Sequence, residues 1–430
     1  MDILKELEDI ELSEIEASST LDLNIPTEVI DDVDLDMLNL DIFDTDKMEK
    51  TIRGRSYIKD ETDYTKLKYS RNGKVTFKID DYLKSCLDFV KTTIPKKDGV
   101  VTVLVVVIGN VMFLSSGNTI VDSLTRTVCD SKDTFYFNIA FDLLETIVSR
   151  GYEVTIDVQD KVTITRKRTN IKNEDRWVIN RENQNDYQLE VLQYYSKDNY
   201  DDTIDANSLS NGLHYLYPVN KSENVDTFKT LTLSDGVMFA RKPSAYFYIP
   251  LLTKQPYILT PMLSKSLLYL SKINKGSKIM VATLPDRHIF QTEENTLISK
   301  RARISDIPSL KKVLTMEIEN TVKIRTNELL QTIDEVTLGK PKLDVTLRYD
   351  NGILKLNSNS VTHKSFMELE VPSATGTNFS FEIPGKLFEN YIKYLKTETL
   401  FIVIHKNRDY VTLVGGNKGG LRATIKVKSI

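Results

Sequence analysis

The chain has 430 residues, 40% of them hydrophobic, enough for about three domains of ordinary size. Two cysteines (Cys86, Cys129) and four scattered histidines exclude a disulfide scaffold and cysteine- or histidine-rich metal chemistry, and they suit a reducing cytoplasm. The net charge of −4 conceals a division: residues 1–50 hold 17 Asp and Glu against 3 Lys, while the rest of the chain has 54 bases against 44 acids. A basic body behind an acidic arm points to a polyanionic partner.

Residues 1–62 read as that arm. Their charge is too one-sided for collapse, so disorder is expected, with Ile3, Leu7 and Ile10 spaced for a short induced helix. An acidic start is unlike a secretory signal. The longest apolar run, Val100 to Ile108, is too short and too valine-rich to span a bilayer and predicts a buried strand.

From about Thr65 the chain repeats itself. A short strand runs into an apolar-spaced helix at Phe77–Leu83 with Leu87, at Ile204–Leu209 with Leu213, and at Ile324–Leu329 with Ile333. Two strands around a tight turn follow each time, at Gly109-Asn110, Asp235-Gly236 and Asn351-Gly352, and Val111-Met-Phe113 returns as Val237-Met-Phe239. A second strand and helix come next. Phe137, Leu259 and Phe381 are each 122 residues apart and precede Leu143-Leu144, Leu267-Leu268 and Leu387-Phe388. A hairpin closes each copy, within Glu153–Arg166, Ser277–Gln291 and Thr399–Val414. The period is too long for a solenoid, so the copies are whole α+β domains, 63–170, 203–314 and 315–430. A polar connector, 171–202, carries Trp177, Tyr194 and Tyr195.

Catalytic motifs are missing. There is no Gly-rich Lys-Ser/Thr phosphate loop and no Gly-x-Ser-x-Gly elbow, and Gly415–Gly420 precedes a strand, as a hairpin tip does. Asp32-Val-Asp-Leu-Asp36 has calcium-loop spacing, but Met37 and Phe43 stand where the loop needs Gly and Glu. His214, His288, His363 and His405 form no local pair. No catalytic residue, metal ligand or cofactor is assigned.

Ser299-Lys300, followed by Ile307-Pro-Ser-Leu-Lys-Lys-Val-Leu314, is similar to the Ser-Lys/Arg strand and Phe-Pro-x-Tyr-x-x-Val segment of the bacterial sliding clamp, the beta subunit of replicative DNA polymerase. The end of the chain, Arg422 to Ile430, resembles that family's final strand, and the likeness in architecture covers roughly 65–430. The resemblance implies three similar clamp domains, each with two helices backed by antiparallel sheet, that form a ring as a head-to-tail homodimer. It implies a processivity factor that encircles duplex DNA without reading sequence, is opened by an ATP-dependent loader, and tethers a DNA polymerase in the cytoplasm. Arg241-Lys-Pro-Ser-Ala245 replaces the family's Thr-Asp-Gly-His-Arg turn, and Lys426-Val-Lys428 its Met-Pro-Met. Such departures fit a divergent, viral member better than a housekeeping one, and the cytoplasm would then be the host's.

Such a protein needs an inner surface that attracts phosphates through mobile point charges. The candidates are Lys84 and Lys91 on the first helix, Lys265 and Lys272 on the fourth, and Lys393 and Lys396 on the sixth. The first two pairs are seven residues apart and so share a helical face. An ordinary solvated face accounts equally well for any single lysine. By resemblance the partner-peptide pocket takes in Pro308, Lys312 and Val313, an altered wall of Arg241, Pro243 and Tyr246, and Leu387 nearby. In the arm, Asn39, Leu40, Asp41, Ile42 and Phe43 resemble the Gln-Leu-Ser/Asp-Leu-Phe docking peptide of clamp partners, which implies that the arm is autoinhibitory; the plainer reading is a solubilising tail. Two alternatives stand beside the clamp: a clamp-shaped interaction protein or transcription co-regulator that does not encircle DNA, and a metal-dependent DNA-processing enzyme.

Overall fold

Each helix begins where a strand delivers the chain to a polar cap or a tight corner, and its apolar stripe then closes on a sheet. In this computed structural model the described residues are 64–94, 101–118, 120–168, 174–181, 186–195, 200–221, 229–301, 310–340, 343–360, 363–371, 373–375, 378–415 and 420–430. All lie within one compact unit, Tyr57–Ile430. The element order recurs three times. First come β1 (Gly73–Lys78), α1 (Asp81–Lys91), β2 (Thr102–Ile108), β3 (Val111–Gly117) and β4 (Val121–Val128). Then follow β5 (Thr134–Ala140), α2 (Phe141–Ser149), β6 (Glu153–Val158), β7 (Lys161–Lys167) and β8 (Asp175–Asn180).

The second pass runs β9 (Asp202–Asp205), α3 (Ala206–Lys221), β10 (Leu231–Ser234), β11 (Val237–Lys242) and β12 (Ala245–Pro250). It continues through β13 (Tyr257–Leu259), α4 (Pro261–Ile273), β14 (Lys278–Thr283), β15 (Arg287–Gln291) and β16 (Asn295–Lys300). A single helical turn, Lys311–Leu314, leads to the third pass: β17 (Ile318–Arg325), α5 (Thr326–Thr337), β18 (Asp344–Asp350), β19 (Ile353–Ser360) and β20 (His363–Glu370). After β21 (Ser373–Thr375) come β22 (Phe379–Pro384), α6 (Gly385–Leu395), β23 (Thr399–His405), β24 (Tyr410–Gly415), β25 (Arg422–Lys426) and β26 (Lys428–Ser429).

Local chemistry explains the starts and turns. Asp80 accepts a hydrogen bond from the Leu83 amide (2.8 Å), and Thr260 accepts one from the Leu263 amide (3.3 Å), with Pro261 opening α4. Leu83, Leu87, Leu209, Leu213, Leu329 and Ile333 are all buried, as their spacing predicts. At the second and third hairpins both turn residues have positive φ: Asp235 55° with Gly236 76°, and Asn351 48° with Gly352 86°. Such turns match the strand twist and suit Asn, Asp and Gly. At the first hairpin it is Gly109 (58°) that turns left-handed.

Among the described residues, four antiparallel sheets result. Two of them join consecutive passes: β5-β2-β3-β4-β16-β15-β14-β9, and β13-β10-β11-β12-β25-β24-β23-β17-β21. The joining pairs are equivalent, β4 with β16 and β12 with β25. The remaining sheets, β1-β6-β7-β8 and β20-β19-β18-β22-β26, end on β8 and β20. The helices cover one face of these sheets, and the main core lies between. The stretch read as a connector carries β8 and the 3-10 turn Asp186–Tyr194, which brings Leu192 and Tyr195 onto the opposite face of the first pass.

Candidate nucleic-acid interface and partner pocket

The helices pack on one another in a row. Tyr269 of α4 donates to the Ser85 carbonyl of α1 (3.3 Å) and stacks on Phe89, and α3 packs against both α4 and α6, as α5 does against α6. At the far end, Lys91 of α1 binds Glu145 of α2 at 2.6 Å. The order is therefore α2-α1-α4-α3-α6-α5.

The six lysines predicted from sequence all lie on or at the end of this row, in different states. Lys84 is exposed and paired with Asp81 (3.2 Å). Lys91 is held by Glu145, whose hydrogen bond is the main reason its pKa is raised. Lys265 is exposed and Lys272 half-buried on α4. Lys393 bridges to Glu389, which also takes Lys386 at 2.9 Å. Burial works against the charge of Glu389, but Lys393 and Lys386 hold its carboxyl below the usual range. Lys396 caps α6 in the left-handed region (φ 47°) and is exposed. Lys272 and Lys396 both act electrostatically on His214 of α3. Burial first, then the fields of Lys396 and Lys272, lower the pKa of this histidine.

Arg241, Tyr246 and Val313, three of the residues expected at the pocket, lie on the other face of the second joining sheet. Cross-strand register aligns Arg241, Tyr246 and Thr424 on one row. Val237, Phe239, Tyr248, Leu310 and Leu314 form a buried cluster there, with Tyr246 and Val313 half-buried at its border. Asp235 accepts from the Leu310 amide (2.9 Å) and so ties the helical turn to the hairpin tip. Lys312 is exposed beside Val313, and Pro243 is exposed in the β11–β12 turn. Leu387 is not part of this group. It sits on α6 against the main core, because its helix packs on the opposite face of the sheet. Pro308 and the arm residues Asn39, Leu40, Asp41, Ile42 and Phe43 lie outside the described residues. Lys428 is committed elsewhere, to Glu382 at 2.8 Å.

Sequence reasoning missed the polar chain that crosses this sheet beside the cluster. Tyr248 and Thr424 approach at 3.3 Å, Thr424 and Thr412 at 2.7 Å, and Thr412 and His405 Nε2 at 2.7 Å. Burial lowers the pKa of His405. Only the alternation of each strand hinted that these four share a face. Among the described residues no group of three His, Cys, Asp or Glu is placed to hold a metal, and no helix is long and apolar enough to cross a membrane.

No family model and no curated protein matches the sequence. Solved structures do match the fold. The beta subunit of DNA polymerase from Streptococcus pyogenes superposes with a TM-score of 0.64 at 15% identity, covering 83% of this chain and 100% of that one. The DNA polymerase sliding clamp from Caulobacter crescentus gives 0.64 at 13% identity, with the same coverage. The DNA polymerase III beta subunit from Pseudomonas aeruginosa gives 0.61 at 15%, covering 82% and 99%. With two helices per pass, joined antiparallel sheets and this likeness along the whole length of those chains, the protein has the fold of the bacterial DNA polymerase III beta sliding clamps.

Proposed function

We propose that the protein is a DNA sliding clamp: two copies close head to tail around duplex DNA and tether a polymerase through the pocket at Tyr246 and Val313. The three passes would be domains 63–170, 203–314 and 315–430, with 171–202 as connector. The protein would act without catalysis or cofactor. Closing the ring on DNA would require an ATP-dependent loader, and the arm would compete for the pocket until displaced.

The observation that carries this reading is the junction rule within the chain. The strand that follows the closing hairpin of the second and third passes (β16, β25) pairs with the strand that ends the first half of the pass before it (β4, β12). By the same rule β8 and β20, which end their sheets, are partners for each other in a second copy. Their exposed apolar residues agree. Val178 on β8 is 54% exposed and Phe366 on β20 is 53% exposed. Transferring either internal register puts Phe366 on the same face as Arg176 and Val178, so the pairing would hide both apolar side chains.

Two measurements test it. Val178→Cys with Phe366→Cys should give an intermolecular disulfide, against a low background: Cys86 is buried, and burial pushes the Cys129 thiol up to about 12. Protein loaded on a nicked circle should be released when the DNA is linearised in moderate salt; equal retention on both forms contradicts encirclement.

One observation favours the second reading, a clamp-shaped interaction protein that never encircles DNA. Within their spans the six helices carry seven Lys and eight Asp or Glu, so the row as a whole is not basic.

A further inference from the structure

That near-zero total hides a sharp segregation along the row. Helices α3, α4 and α6, which are neighbours, contain five Lys and a single acid, Glu389. Helices α1, α2 and α5 contain two Lys and seven acids. The primary structure is equally lopsided: the fifty residues 236–285, which include α4, have seven Lys or Arg and no Asp or Glu. The basic group is extended by Lys275 in the turn after α4 and by Lys396 at the end of α6, both exposed. On α5, by contrast, Glu328, Asp334 and Glu335 are all exposed.

Spacing decides whether such segregation matters. Packed helices lie about 8–10 Å apart, and charges are screened over about 8 Å at physiological salt. A phosphate over one helix therefore responds to that helix and its immediate neighbours, and the average over six has little meaning for it. Helix α3 packs between α4 and α6, which carry Lys272 and Lys396 at their ends, and the fields of both lysines act on His214. The two lysines of α1 are paired with Asp81 and Glu145, as Lys393 is with Glu389, but α1 and its neighbour α2 hold four carboxylates against these two cations.

We propose that duplex DNA is held on the α4–α3–α6 strip alone, through phosphate contacts from Lys265, Lys272, Lys275, Lys393 and Lys396, and is kept off α2 and α5 by their carboxylates. This rests on the clamp reading and narrows it: the duplex would lean on one sector of each copy, at the junction of the second and third passes. Lys84 and Lys91 would contribute little.

The test uses the full chain, a short fluorescent blunt-ended duplex and anisotropy titrations over a range of NaCl concentrations. Lys272→Gln with Lys396→Gln should weaken binding about tenfold and lower the log–log salt slope by about two, one for each lost phosphate contact. Lys84→Gln with Lys91→Gln should lose less than about threefold, since the four carboxylates of α1 and α2 outnumber these two cations within a screening length. Neutralising α5 (Glu328→Gln, Asp334→Asn, Glu335→Gln) should tighten binding by about threefold or more, with the salt slope unchanged. The substituted side chains are exposed or half-buried, and circular dichroism would establish that each variant is folded. Equal losses from the two lysine pairs, or no gain from the α5 variant, would overturn the segregation while leaving a DNA-binding clamp. Failure of the parent chain to bind duplex even at low salt would instead remove the clamp reading itself.

Discussion

Phe113 and Phe239 are repeats of one another, each third in a Val-Met-Phe strand, and each anchors an apolar cluster on the sheet face away from the helices. The first cluster is sealed by its own chain. Tyr64, Leu192 and Tyr195 are all buried over it, and the rings of Tyr64 and Tyr195 meet Phe113 edge-on at 5.0 and 5.1 Å. Among the described residues the second is covered by Leu310 and Leu314, with Tyr246 and Val313 half-buried at its border. The same surface is thus sealed in one pass, while in the next Tyr246 and Val313 at its border stay half-buried. What differs is the flanking chain, Tyr64 before the first pass with Leu192 and Tyr195 after it, and not the sheet.

The comparison can be broken in four ways, beginning with the largest effect. Phe113→Ala should cost about 3–5 kcal/mol in urea unfolding, since it empties a sealed aromatic site; a loss below about 1 kcal/mol would mean that the lid is not packed as described.

The next effect is a pH profile. The first junction holds two titrating groups on nearby strands. Burial raises Asp122 of β4 to about 6 against the pull of Arg287 and Lys300, and burial with Arg301 lowers His288 of β15 to about 4. Asp122 has room only because residue 117 is glycine: a Cβ there would lie 1.8 Å from its Oδ1. As pH falls from 6.5 to 4 the unfolded chain protonates its histidine first, so His288 costs about 2–3 kcal/mol of stability. Over an overlapping window Asp122 acts in the opposite sense. The folded chain binds its proton more tightly, so falling pH restores about 1–2 kcal/mol, discounted for its partial exposure. Asp122→Asn should therefore stabilise the protein at pH 7 and steepen the acid limb, whereas His288→Asn should remove that limb. Parallel profiles for all three proteins would rule out both assignments.

A smaller effect is expected at the open cluster. Val313→Ala should change stability by only about 1 kcal/mol yet weaken binding of the free pentapeptide Asn-Leu-Asp-Ile-Phe about tenfold in calorimetry. Unchanged affinity would take Val313 out of the proposed pocket. The smallest effect is Tyr195→Phe, which removes the bond its hydroxyl donates to the Glu293 carbonyl (3.2 Å) and the one it accepts from Arg126 (3.4 Å), for about 1 kcal/mol.

The helices and hairpins were legible because their signals are local. Leu83 with Leu87, and Asn351 with Gly352, announce helix and turn from within a few residues. Strand β8 was not legible, because its inner face is closed by a polar partner: Arg166 lies over the Trp177 ring at 4.9 Å and is held by Asp175 at 2.6 Å. A pattern search for apolar alternation passes over such a strand. Leu387 was misplaced because apolar character does not say which face of a sheet a helix will cover. The pairing of Lys91 with Glu145, fifty-four residues on, was hidden for the same reason, and with it the inequality among lysines that look alike on paper.

Glu389 shows what pairing does for a cation that must also let go. It is only 12% exposed, pinned beneath Lys386 and Lys393, and serves as a resident counterion for both. A passing polyanion would exchange one carboxylate for one phosphate oxygen, and when it moved on the carboxylate would return. Neither ammonium group would be left bare in between, so successive positions along a duplex would be separated by low barriers. On the proposed clamp reading, such a surface would favour gliding over adhesion, with friction set by a side chain that need not touch the nucleic acid.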